Sequence, residues 1–109
     1  MSTTVFLLIN TGAESPHEVW SNNYTSNCNS MLRLADTIGV GLSRLHKQSA
    51  KRANEILFGW IEKMELFPKA FEALNPPNGW GDSVSFLAFL KEFHDKCVEH
   101  SLCFVEVHS

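Results

Sequence analysis

Thr3-Thr4-Val5-Phe6-Leu7-Leu8-Ile9, stopped by Asn10-Thr11-Gly12, is a short run of β-branched, aromatic and aliphatic residues that reads as a strand. Both of its faces are apolar, which predicts a strand covered on both sides and paired near the centre of a sheet. Beyond the polar turn containing Pro16, His17-Glu18-Val19-Trp20-Ser21 is expected to return as a second, antiparallel strand. At the far end, Leu102 to Val107 reads as a third strand with Cys103, Val105 and Val107 on one face.

The chain between these strands has helical spacing. Asn22 to Ser30 is too polar for a core strand and leads into Met31, Leu34, Ala35 and Ile38, a helix expected to be capped by Ser26 or Asn27 and ended by Gly39 and Gly41. A connector, Arg44 to Lys47, precedes a longer helix over Ser49 to Glu65, whose stripe is Ala53, Ile56, Leu57, Trp60, Ile61 and Met64. Pro68 opens a short helical turn with Phe67, Phe71 and Leu74. The last helix, Ser83 to His100, is capped by Asp82 or Ser83 and buries Phe86, Phe89, Leu90, Phe93 and Cys97. The expected fold is α+β: one domain over residues 1–109, with a small three-stranded, mainly antiparallel sheet packed with three or four helices.

Composition narrows the function. With 109 residues, 44% of them hydrophobic, the chain can bury one core without disulfides or metals. A formal charge of −3 argues against a general nucleic-acid binder, which needs a basic face. Three cysteines without framework spacing suit reduced thiols, so the chain is placed in the cytoplasm. The apolar run Val5–Ile9 is too short for a signal peptide or membrane span, and the glycosylation pattern Asn23-Tyr24-Thr25 is then incidental.

Four constellations carry the candidate chemistry. The first is Asn22 to Ser30, where extended alternation would put Asn23, Thr25 and Asn27 on one side as ligand contacts; the alternative is that these residues cap the helix and close turns. The second is Asn75-Pro76-Pro77-Asn78-Gly79-Trp80-Gly81-Asp82, a stiff loop that makes Trp80 either a core plug or a stacking platform. Both lie where a helix begins. If the sheet brings the two starts together, their N–H groups, amides and indole would suit a phosphorylated or nucleotide-like ligand. Third, Arg44, Lys47, Lys51 and Arg52 form either a phosphate contact or a solvated helix face. Fourth, His94, Cys97, His100 and Cys103 have zinc-like spacing, but Cys97 falls on the apolar face of the helix and Cys103 in a strand, so no metal or other cofactor is expected.

With these motifs in view, the chain resembles a family of small uncharacterised bacterial and phage proteins. That family carries an Asn-x-Thr-x-Asn segment with Met four residues later, here Asn23, Thr25, Asn27 and Met31. An Asn-Pro-x-Asn-Gly-Trp-Gly loop follows, here Asn75, Pro76, Asn78, Gly79, Trp80 and Gly81. The correspondence runs over about Asn23 to Val107; Ser83 stands where the family often carries Tyr. The resemblance implies that the two motifs travel together, as they would in one site, and that a phage setting suits proteins that sequester or inhibit host immune signals.

The expected function is non-enzymatic binding of a nucleotide-derived small molecule by Asn23, Thr25, Asn27, Asn78, Trp80 and Asp82, with Arg44 and Lys47 neutralising phosphate, from a neighbouring subunit if the protein is a homo-oligomer. The rival is a protein-interaction module that inhibits a host protein through Trp20, Tyr24 and Phe58. A weaker third reading is a hydrolase or transferase using Asp82 and a histidine, because no catalytic signature stands in the sequence.

Overall fold

A computed structural model describes residues 2–109. These form strands β1 (Ser2–Ile9), β2 (His17–Thr25) and β3 (Phe104–His108), and helices α1 (Leu32–Ala35), α2 (Ala50–Leu66), α3 (Pro68–Glu72) and α4 (Ser83–Glu99). Two 3₁₀ turns, Ser26–Met31 and Gly41–Leu45, lead into α1 and toward α2. The sheet is antiparallel throughout in the order β2-β1-β3, so the first strand is central, as its composition predicts.

The sheet is covered on one face only. Thr3, Val5 and Leu7 are buried, the last two in the core cluster with the stripes of α2 and α4, whereas Thr4, Phe6 and Leu8 point to the opposite face and are half-buried. The expectation of a strand covered on both sides is therefore corrected. Phe6 is sheltered by its neighbours in the sheet, with the His108 ring edge-on 5.2 Å away, rather than by a second layer.

β2 runs four residues further than its apolar period indicates, through Asn22, Asn23, Tyr24 and Thr25. An edge strand tolerates this polarity because only its inner row must pack. In that row Trp20 stacks on Phe93 at 5.6 Å, Tyr24 leans on Phe86 and Phe89, and Asn22 donates to Glu92 of α4 at 3.1 Å. Trp20 and Tyr24 thus belong to the packing and are not free anchors. β3 is closed on its outer side by the connector: Lys47 N–H donates to Val105 O and Val105 N–H to Gln48 O, both at 2.8 Å. His46 Nδ1 accepts from Val107 N–H at 2.9 Å.

The long helices follow their stripes. Ser49 caps α2 by accepting from Arg52 N–H, and Ala53, Ile56, Leu57, Trp60, Ile61 and Met64 are all buried. On α4, Phe86, Phe89, Leu90, Phe93 and Cys97 are buried; each phenylalanine contributes about 1.5–3 kcal/mol by leaving water. The short helices depart from expectation. Thr25, rather than Ser26 or Asn27, caps the first turn, α1 stops at Ala35 before either glycine, and Leu34 and Ile38 are exposed. Phe71 is buried while Phe67 and Leu74 are not.

Candidate functional site

The loop before α4 is held by its own asparagines. Asn75 Oδ1 accepts from Ser83 N–H at 2.8 Å, and Asn78 Oδ1 accepts from Trp80 N–H at 3.0 Å. Gly79 (φ 75°) and Gly81 (φ 92°) supply the left-handed conformations that turn the chain. Trp80 projects from this frame with 68% of its surface exposed, which removes the core-plug alternative.

The two polar motifs meet. Gly81 lies so close to the other segment that a methyl group on it would stand 2.6 Å from Thr25 Cγ2 and 2.8 Å from Cys28 Sγ. Tyr24 O–H donates to the Asp82 carbonyl and accepts from the Asp82 N–H, each at 3.3 Å, and also meets the Ser85 hydroxyl. A second tether fixes the far end of the asparagine segment. Asn29 Oδ1 accepts from Leu42 N–H at 2.9 Å, and its amide fills the space where a side chain on Gly41 would stand, a position whose φ of 70° also favours glycine.

The helix starts are filled by the chain itself. Asp82 Oδ1 takes Ser85 N–H at 2.7 Å, Asn75 takes Ser83 N–H, and Thr25 Oγ1 takes Asn27 N–H at 3.4 Å. An anion at either start would compete with these acceptors, and at α4 would face a carboxylate. The expectation of two open helix N-termini is corrected on this ground. Beside the loop, at the start of α4, lies an open cleft of about 710 Å³ lined by Glu72, Asn75, Asp82, Ser83, Ser85 and small apolar side chains. A more polar cavity of about 470 Å³ is lined by Ser26, Asn29, Ser30, Arg33 and the turn Gly39–Gly41.

Two ionisable groups at the junction have shifted acidities. The Ser85 amide holds the Asp82 carboxyl below the usual carboxylate range, against the opposing effect of desolvation, with the Ser85 hydroxyl and Val84 amide adding to the lowering. Asp82 is therefore charged at neutral pH and is poorly suited as an acid or base there. Burial raises the Cys28 thiol, as does the nearby Asp82 charge, against a hydrogen bond with Tyr24, so the thiolate is disfavoured.

Asn23 and Asn27 are exposed, and Thr25, Asn78, Trp80 and Asp82 are gathered at the junction or on its loop. Arg44 and Lys47 are not brought there. Lys47, with φ of 67°, lies beyond β3 and 3.9 Å from Glu106; across strands spaced about 4.8 Å apart, that is the other side of the sheet from β2. Neither residue lies on the face of α2, which begins only at Ala50. Arg44 pairs with the buried Asp36 at 2.7 Å, and Asp36 also accepts from Trp60 Nε1 at 3.2 Å and Ile38 N–H at 3.0 Å.

The pairing of Asp36 and the place of Arg33 in the polar cavity were not legible in the sequence. Asp36 looks like a helix-end acid until the fold places an arginine and an indole over it. Arg33, between two leucines, gives no signal beyond its position near the asparagine segment. In the zinc-like set, Cys97 is buried in the core and His94 faces Phe58, ring centres 6.2 Å apart. Among the described residues no three His, Cys, Asp or Glu side chains converge as a metal site needs, and no helix is long and apolar enough to cross a membrane.

Compared with known proteins, the chain matches no family model, no curated protein and no solved structure.

Proposed function

We propose that the protein is a non-catalytic module that binds a small, flat, polar ligand of nucleotide-derived type where the Asn23–Asn29 segment meets the Asn75–Asp82 loop. The observation that carries this reading is the seating of Gly81 on Thr25 and Cys28, which makes one rigid frame of the two motifs and leaves the Trp80 indole out in solvent. An exposed indole on a fixed loop is a stacking surface for a base. Glu72 and Asp82 favour ring amino groups and ribose hydroxyls, and Arg33 with Ser26 and Ser30 supplies the cation a phosphate needs. Arg44 and Lys47 reach such a ligand only from a neighbouring subunit of a homo-oligomer. The resemblance to bacterial and phage proteins adds the biological role, sequestration of a host immune signal in the cytoplasm.

Tryptophan fluorescence titration with ADP-ribose and a cyclic dinucleotide tests the proposal. A saturable change is expected, and Trp80→Ala should weaken binding about tenfold or more, since one base stack contributes roughly 1–3 kcal/mol; Asn27→Ala should weaken it as well. Folded variants that bind as the parent does would refute the shared site. Exposure of Phe58 (57%) and Phe67 (59%) favours a second reading, a module that inhibits a host enzyme or defence complex.

A further inference from the structure

The outer edge of β3 is finished by a side chain. From Lys47 to Ala50 the connector runs beside β3 as a strand would: Lys47 N–H donates to Val105 O, Val105 N–H to Gln48 O and Ala50 N–H to Cys103 O, each at 2.8 Å. One step further along β3 the main chain has turned away, through Lys47 at a φ of 67° and the 3₁₀ turn Gly41–Leu45. His46 N–H is spent on Ser43 O at 3.1 Å, and Val107 N–H donates instead to the ring, to His46 Nδ1 at 2.9 Å.

This bond fixes the state of the ring. A backbone N–H only donates, so Nδ1 offers a lone pair and His46 is the neutral imidazole with its proton on Nε2. A second proton goes to Nδ1, and two N–H groups then face each other where a hydrogen bond stood. The charged groups nearby come from β3 and the connector. His108 Nε2 lies 2.8 Å from Glu106 Oε1, the His46 and His108 ring centres are 6.4 Å apart, and Lys47 Nζ is 3.9 Å from Glu106 Oε2. Phe6 of β1 meets His108 and is uncharged, and Arg44, in the turn before His46, is engaged by Asp36. The His108 hydrogen bond holds the Glu106 carboxyl below the usual carboxylate range against desolvation, with the charges of Lys47, His108 and His46 adding to the lowering. Glu106 therefore stays charged in mild acid and attracts a charged His46 ring, whereas the Val107 amide holds only the neutral one.

We propose that His46 is a pH-dependent clip on β3: neutral, it completes the ladder between the connector and the strand, and protonated, it releases Val107 and opens the outer edge of the last residues of β3. The bond is present while the ring is neutral. It is lost as pH falls through the range in which imidazoles titrate, about pH 8 to 5.

The test is an NMR pH titration of the isotopically labelled full chain. At about pH 8 the imidazole nitrogen spectrum should show the Nε2–H tautomer at His46. As pH falls, the exchange protection of the Val107 amide, corrected for the intrinsic pH dependence of exchange, should drop about tenfold with the His46 titration while that of Val105 holds. His46→Asn puts an amide oxygen, an acceptor at every pH, in the place of Nδ1 and should keep Val107 protected throughout. His46→Leu should leave Val107 weakly protected throughout, and His108→Gln should retain the transition of the parent. An Nδ1–H tautomer at His46, Val107 protection unmoved by the His46 titration, or a loss that tracks His108 and persists in His46→Asn would each overturn the proposal.

Discussion

Gly81 is the residue on which the site depends, because its φ of 92° disfavours a side chain and its neighbours leave no space for one. Gly81→Ala should cost about 2 kcal/mol in urea denaturation, from backbone strain and displacement of Thr25. Adding Thr25→Ser, which removes the crowding Cγ2, should recover part of that loss; strictly additive losses would show that the two motifs do not press on each other. The sequence displays the glycine and the Asn-Pro-x-Asn-Gly-Trp-Gly pattern but not the partner of that pattern, since the contact joins residues 56 apart in the chain. Asp36 supplies the second prediction at this scale. Burial alone would raise its carboxyl, but the Arg44 hydrogen bond, the Ile38 amide, the Arg44 charge and the Trp60 indole together lower it. A carboxyl lowered in the folded state stabilises the fold above its unfolded value, near about 3.9, and that contribution is lost as pH falls through the folded value. Urea midpoints should therefore drop below about pH 4 in the parent and drop less in Asp36→Asn. Equal slopes in parent and variant would contradict the role given to Asp36.

Among the elements, α2 and α4 were legible to within a residue at their ends because their stripes repeat over four turns; Ser49, read as the first helical residue, is the cap of α2, and Asp82 rather than Ser83 caps α4. Shorter elements were not. The region after Asn22 offered asparagines and serines that suit a turn, and the fold used them both as the end of an edge strand and as a 3₁₀ turn, because inter-strand pairing outweighs local preference at an edge. Leu34 and Ile38 match a helical period but α1 ends at Ala35, so periodicity without length misled. β1 lies between two strands, whereas β2 has no strand on its outer side among the described residues. Hydrogen exchange should then find Val5 to Leu7 among the most protected amides, with the outward amides of β2 exchanging orders of magnitude faster. Uniform protection across both strands would mean that a second chain covers the β2 edge.

For the whole molecule, a three-stranded sheet packed with helices was legible from composition and the order of elements, but the apolar run Val5–Ile9 reads as buried on both sides and hides the fact that one face of the sheet is left uncovered. The same three-dimensional placement corrected the basic cluster: Arg44, Lys47 and Arg52 pair with Asp36, Glu106 and Glu55, Lys51 is exposed on α2, and the cation lining the polar cavity beside the asparagine segment is Arg33. The central claim is that the joined motifs hold a small ligand. Native mass spectrometry of protein purified gently from its own host, before and after denaturation, tests this most directly. The account predicts a stoichiometric nucleotide-like mass that is released on denaturation and is absent from the Trp80→Ala protein; a bare chain, or one carrying only a co-purified protein, would contradict it.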